Sequence, residues 1–159
     1  MREKNLFSAG AAKGDITPEE NLFPLPFFGP IKINRIDSRL HVRALALGDG
    51  ERKSLLITVD LTMILFMEEL LKNISEETGI PKEYIFVAAT HTHEAPIVGM
   101  EAFAGTDLST DDDEEKKKIA IWAPEMKKVI VETAKQAISN MKPAKLGYGT
   151  GKSYINVNR

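Results

Sequence analysis

Two of the chain's three histidines fall within three residues of each other, in the run Thr90-His91-Thr92-His93-Glu94-Ala95-Pro96. The run follows an apolar stretch, 84–89, that reads as a buried strand. Sites in open α/β sheets gather past the carboxyl ends of strands. On an extended backbone, side chains at i and i+2 point the same way. His91 and His93 would then face one metal ion together, and neutral imidazole is a common zinc ligand. Glu94 adds a carboxylate able to ligate, to orient a histidine or to move a proton. The bland alternative is a solvated polar turn. A zinc site also needs three or four protein ligands, and this run supplies at most two or three.

The elements around the run decide what it can meet. Residues 54–59 are almost continuously apolar, which reads as a central strand buried on both faces. Residues 40–47 alternate, and Gly48-Asp49-Gly50 supplies a turn, so the two segments form a hairpin. His41 reads as a strand-surface histidine. Asp60, at the end of the second strand, is either a cap or structural carboxylate or a site residue. From 63 to 78 the apolar residues recur at helical spacing, with Gly79 and Pro81 as stop signals. Strand, helix and strand 84–89 make a β-α-β unit with parallel strands. That unit brings Asp60 and His91 to the same edge of the sheet.

The rest of the chain frames this unit. Residues 6–16 read as a first strand, closed by the turn chemistry of Asp15-Ile16-Thr17-Pro18. Residues 19–36 hold Pro24, Pro26, Gly29 and Pro30 among Leu22, Phe23, Leu25, Phe27 and Phe28, so a packed or pocket-lining loop is expected rather than a regular element. Residues 97–110 read as a loop over the motif, with a lid as the sharper reading. The run Asp111-Asp112-Asp113-Glu114-Glu115 followed by Lys116-Lys117-Lys118 suits a helix start; a divalent-ion site is the sharper alternative. Helical spacing continues to Met141, with Pro124 starting or kinking the second half. Residues 144–148 read as a further strand. The expected fold is α/β: a single domain with a mixed, largely parallel sheet and flanking helices.

Composition narrows the function classes. The 159 residues suit one domain of roughly 100–200 residues. They are too few for a (β/α)8 barrel of about 250 residues. A net charge of −2 gives no electrostatic case for nucleic acid or an anionic membrane. The absence of cysteine excludes disulfides and thiolate ligands. No apolar leader opens the chain, and no stretch approaches the roughly 20 residues of a membrane span. A cytoplasmic location is therefore the expectation.

Several stretches, spread over the chain in order, resemble the N-terminal domain of the neutral/alkaline non-lysosomal ceramidase family. They are Ala9-Gly10-Ala11-Ala12-Lys13, Asp15-Ile16-Thr17-Pro18, residues 40–47 with Arg43, and residues 55–60 with Leu61. Gly79-Ile80-Pro81, Thr90-His91-Thr92-His93 with Pro96, and the closing Asn158-Arg159 complete the set. Residues 1–159 would then be a ceramidase-like N-terminal domain, incomplete relative to the family. The resemblance implies a zinc-dependent hydrolase of the amide bond in an N-acyl, ceramide-like substrate. It implies zinc on His91, with His93 lining the site as ligand or catalytic group and Arg159 reaching the substrate. Zinc lowers the pKa of bound water towards roughly 7 and polarises a carbonyl, and His93 would stabilise the developing oxyanion or shuttle a proton.

Three departures stand beside the resemblance. The family's remaining zinc ligands (a His, a Glu and a Tyr) come from much later in the chain than residue 159. Glu94-Ala95 replaces the Ser-Gly that commonly follows the histidine pair. Members are commonly exported, and this chain shows no leader. Missing ligands would come from a second subunit in a homo-oligomer, or from Glu94 and Asp60. The alternative function is a noncatalytic or partial domain that keeps the fold and at most weak metal binding.

Overall fold

The computed structural model describes residues 7–27, 30–99 and 112–155. The elements in chain order are β1 (Ser8–Asp15), β2 (Leu25–Pro26), β3 (Lys32–Ile33), β4 (His41–Gly48), β5 (Lys53–Val59), α1 (Met67–Thr78), β6 (Ile85–Ala89), α2 (Asp113–Ser139) and β7 (Lys142–Pro143). Five strands form one sheet in the order β6-β5-β4-β1-β7, and β2 pairs with β3 separately.

The β-α-β unit is present as expected: β5 and β6 are parallel, with Val59 opposite Ala89. The sheet as a whole is mixed, but it is not largely parallel. The β4–β5, β1–β4 and β1–β7 pairs are all antiparallel. A parallel pair needs a crossover of a dozen or more residues between sheet neighbours, and the α1 connection supplies the one in this sheet. β4 and β5 are joined by the tight turn at Asp49, whose carboxylate accepts from the N–H groups of Glu51 at 2.9 Å and Arg52 at 2.7 Å.

Alternation along each strand sorts the side chains into two faces. Val42, Ala44 and Ala46 of β4, Leu55, Ile57 and Val59 of β5, and Ile85 and Val87 of β6 turn into one core. They meet Leu70 and Ile74 of α1 and Trp122, Met126, Ile130, Ala134 and Ala137 of α2. Both helices therefore cover the same face. β5 is buried on that face only, and its apolar run does not mark a strand buried on both sides. Leu56 stands on the opposite face between Leu45 and Phe86, its cross-strand neighbours. Leu45, Leu56 and Phe86 are 39%, 42% and 64% exposed. Phe86→Thr is expected to change the unfolding free energy by no more than about 1 kcal/mol, the scale of one cross-strand pair. It should lower binding of an apolar fluorescent dye in the same titration, since a contiguous exposed apolar row attracts such probes.

The helices differ in their ends. α1 starts at Met67, four residues later than its apolar spacing suggests, because residues 61 and 62 bond to the histidine run instead. It stops at Gly79, which takes φ 70° and donates to the Ser75 carbonyl at 2.9 Å, a backbone state glycine enters without steric cost. α2 is capped by Asp112, whose carboxylate accepts from the N–H groups of Glu114 at 2.9 Å and Glu115 at 3.3 Å. Those backbone bonds, Glu115's first, hold the Asp112 carboxyl below its ordinary range. The acidic run is thus a helix start, as expected for Asp112 to Glu115; Asp111 lies outside the described residues. α2 then continues through Pro124 as one helix, so no helix starts there. Trp122 secures it, donating from Nε1 to the Ile16 carbonyl at 2.8 Å.

The proline-rich loop contains more order than its composition suggests. β2 and β3 form a small antiparallel pair, and Phe27 packs with Ile97 and Ile33 in a satellite core. The Lys32 ammonium pairs with the buried Glu115 carboxylate, and Lys118 donates to the Pro24 carbonyl at 3.1 Å. Both contacts tie the loop to the first turns of α2. At the other end, the strand expected over 144–148 does not form, and the two-residue β7 lies just before it. Only Lys142–Pro143 joins the sheet, and Leu146, Tyr148, Tyr154 and Ile155 are exposed. Among the described residues, no helix is long and apolar enough to cross a membrane.

Candidate functional site

The parallel pairing of β5 and β6 delivers residues 60–62 and 90–93 side by side. Past the last ladder pair, Thr90 N–H donates to the Val59 carbonyl at 2.9 Å and His91 N–H to the Leu61 carbonyl at 3.0 Å. His91 leaves the strand with φ 62° and is the one non-glycine residue with positive φ among the described residues. The extended geometry expected for the His-x-His pair is therefore absent. The rings come together across a turn instead, with centroids 5.2 Å apart and planes at 66°.

The His91 ring is committed on one side. Its Nδ1 lies 2.7 Å from the Thr62 carbonyl oxygen. A carbonyl only accepts, so Nδ1 carries the proton and Nε2 of the neutral ring keeps its lone pair. Histidine ligands to metals show this pattern, with the second nitrogen held by a carbonyl or carboxylate. His93 is exposed, and its ring also meets Phe27, centroids 5.7 Å apart. Beyond Glu94 the chain is anchored again: Ala95, Pro96, Ile97 and Val98 are buried, and Ile97 N–H donates to the Pro26 carbonyl at 3.3 Å. The two histidines thus sit on a turn fixed at both ends.

Asp60 reaches the expected sheet edge but is used elsewhere. Its carboxylate accepts from the His41 backbone N–H at 2.9 Å and from Arg43 at 3.0 and 3.2 Å. His41 stands beside it, Nδ1 to Oδ2 3.9 Å, away from the His91–His93 contact. Asp60 is therefore a structural carboxylate, and α1 has no side-chain cap from it. Glu94 is exposed, its N–H donating to the Thr92 hydroxyl at 3.2 Å. Arg159 and most of the expected lid, from Met100 on, lie outside the described residues.

Among the described residues, no three His, Asp or Glu side chains come close enough to hold a metal ion. The fit to zinc is thus partial: His91 presents a prepared Nε2, His93 adjoins it, and a third donor is not among them. Beside Glu94 lies a cavity of about 170 Å³, lined by Phe23, Ile33, Leu40 and Pro96 together with Arg35, Asp37 and Ser38. Ligand sites commonly span about 300–1,000 Å³, so this is room for part of a ligand. The sequence reading missed Thr62 and Phe27 as neighbours of the histidines. The parallel β-α-β pairing was the available signal for Thr62; the ring-to-ring contact of Phe27 had none.

Fold and site together define a two-layer α/β domain with a histidine turn at the end of its parallel strand pair. No family model matches the chain, and no curated protein matches it. Among solved structures it is similar to neutral ceramidase from Pseudomonas aeruginosa, with a TM-score of 0.62 and 20% identity over 89% of this chain and 23% of that one. A ceramidase complexed with C2 aligns with a TM-score of 0.56 and 21% identity, over 87% of this chain and 22% of the other. The likeness is one of fold. The chain spans less than a quarter of the length of the ceramidases it matches.

Proposed function

We propose that residues 1–159 are a ceramidase-like N-terminal domain that contributes to a zinc-dependent hydrolase of N-acyl, ceramide-like amides. The observation that carries this reading is the His91 ring, with Nδ1 bonded to a backbone carbonyl and Nε2 left as the basic nitrogen. The shared fold with neutral ceramidases supports it. His91 would hold the zinc, with His93 beside it, and the remaining ligands would come from outside the described residues. Bound zinc supplies Lewis acidity for attack of water on an amide carbonyl.

The chain's own residues do the rest. His93 exchanges a proton with the reacting groups or donates to the developing oxyanion. The Phe27 ring backs the His93 imidazole and limits its orientations. The cavity beside Glu94, lined by Arg35, Asp37 and Ser38 as well as apolar side chains, receives a polar part of the substrate, and Arg159 holds a hydroxyl or anionic group. A second reading, a partial domain without catalysis, is favoured by the absence of a third donor among the described residues.

Elemental analysis and calorimetric zinc titration of the purified protein separate the two. Together they should find near-stoichiometric zinc, lost in His91→Ala, and an assay with a fluorescent N-acyl sphingoid substrate should find chelator-sensitive hydrolysis. Zinc binding without hydrolysis would leave the partial-domain reading. Equal zinc content in the wild type and His91→Ala would remove His91 as the ligand.

A further inference from the structure

Three polar or charged side chains are buried among the described residues: Thr62, Glu115 and Thr133, at 2%, 4% and 5% exposure. Two have local explanations. The Thr133 hydroxyl donates to the Val129 carbonyl one turn back in α2, at 2.7 Å. Glu115 meets Lys32. Thr62 instead crosses to the histidine turn. Its hydroxyl donates to the Thr92 carbonyl at 2.7 Å, while its own carbonyl accepts from His91 Nδ1 at 2.7 Å. With the Leu61 carbonyl accepting the His91 N–H at 3.0 Å, residues 61–62 hold the turn at three points on both sides of the His91 peptide.

We propose that the Thr62 hydroxyl is a positioning group for His91. It fixes the Thr92 carbonyl, and so the Thr92–His93 peptide plane, while the Leu61 carbonyl holds the His91 N–H on the other side. With the chain pinned at the His91 N–H and again at the Thr92 carbonyl, His91 cannot swing to the extended conformation a residue with a Cβ prefers without breaking one of the two bonds. The ring is then kept on the Thr62 carbonyl, in the tautomer protonated at Nδ1. A hydroxyl is needed because the Thr92 carbonyl requires a donor, which a methyl group of equal size cannot provide. This inference concerns the same site as the proposed zinc function. The tautomer, however, can be read without zinc.

The test is nitrogen-15 NMR of the three histidine rings in metal-free protein, at a pH above the ordinary imidazole range of about 6.5, with His91→Gln to assign the signals. The wild type should show His91 as the single Nδ1–H tautomer. Thr62→Val should give a tautomer mixture, and Thr62→Ser should restore the single form. Zinc affinity should fall roughly 10–100-fold in Thr62→Val, the range seen for groups that orient a metal ligand, and recover in Thr62→Ser. A tautomer mixture in the wild type would overturn the proposal. So would Thr62→Ser behaving like Thr62→Val, even if the valine variant proved unfolded, because packing of the methyl would then be the cause. A folded Thr62→Val with the tautomer unchanged would also overturn it. A lock that depends on Thr62 in a protein without zinc affinity would uphold this proposal and remove the zinc reading instead.

Discussion

Gly10→Ala is expected to lower the unfolding free energy by at least about 3 kcal/mol, the upper range for overpacking a dense interior. For a chain of this size that corresponds to a fall in Tm of roughly 6–12 °C. A Cβ added at Gly10 would overlap the Ala137 carbonyl oxygen and stand 2.6 Å from the Met141 nitrogen and 2.7 Å from the Asn140 carbonyl carbon. All three are backbone atoms of the α2 terminus and the turn after it, so no rotamer change relieves the clash. The strand cannot yield either, since Gly10 is paired opposite Ala46 in the ladder and the neighbouring Ala11 carbonyl accepts from Asn140 Nδ2 at 2.9 Å. Accommodation requires lifting α2 off β1, which would expose Ala134, Ala137 and Ile130, each fully buried. Gly48→Ala is the control. Its added carbon meets chiefly the Met141 methyl at 2.8 Å, the mobile end of a flexible side chain, and should cost no more than about 1 kcal/mol. Chemical denaturation of both variants checks the contrast. Equal costs would mean that α2 does not lie directly on the β1 backbone.

That close contact explains what a sequence can and cannot reveal here. Alternation exposed β4, short apolar runs exposed β5 and β6, and helical spacing exposed the body of α1. These patterns did not expose sheet direction, which depends on connections. The apolar run Leu55-Leu56-Ile57 looks the same whether Leu56 meets a second layer or stands open beside Leu45 and Phe86. Pro124 suggested an interruption, since proline removes one helical hydrogen bond. Burial of Trp122, Ala123 and Met126 around it outweighs that loss. The exposed segment after β7 carries strand-like residues, but among the described residues it has no neighbour to pair with beyond Pro143 and the single bond from Ala144 N–H to the Phe7 carbonyl, 2.9 Å.

At the site, the meeting of residues 60 and 91 followed from the β-α-β unit and needed no side-chain detail. The conformation of His91 did not follow. Local sequence marks position 91 only weakly for positive φ: histidine enters that region more often than most residues, but Thr90, His91 and Thr92 contain no glycine or asparagine. The left-handed turn is imposed from across the strand pair by Leu61 and Thr62, and such tertiary constraints leave no periodic trace. Asp60 shows the converse. Its type and position suited a ligand, yet Arg43, two residues into β4 on the adjacent strand, reaches it first.

Replacing His91 should therefore separate backbone strain from function. Left-handed geometry costs a residue with a Cβ about 1–2 kcal/mol, whereas glycine enters it freely but adds roughly 0.5–1 kcal/mol of unfolded-state entropy. His91→Gly is accordingly expected to be about 1 kcal/mol more stable than His91→Ala. Both variants lose the bond to the Thr62 carbonyl, so that loss cancels in the comparison. His91→Ala should lie below the wild type by about 0.5–1.5 kcal/mol, the net worth of that bond, because it keeps the strained backbone. On the proposed function, both variants lose more zinc affinity than the roughly 10–100-fold attributable to an orienting partner. Unfolding curves and zinc titrations on the same samples measure the two effects independently. If the glycine variant is no more stable than the alanine variant, the turn is not strained at His91. If it is more stable while zinc binding is lost, the chain keeps histidine in an unfavourable conformation that glycine would relieve, and the reason lies in what the ring binds rather than in what it stabilises.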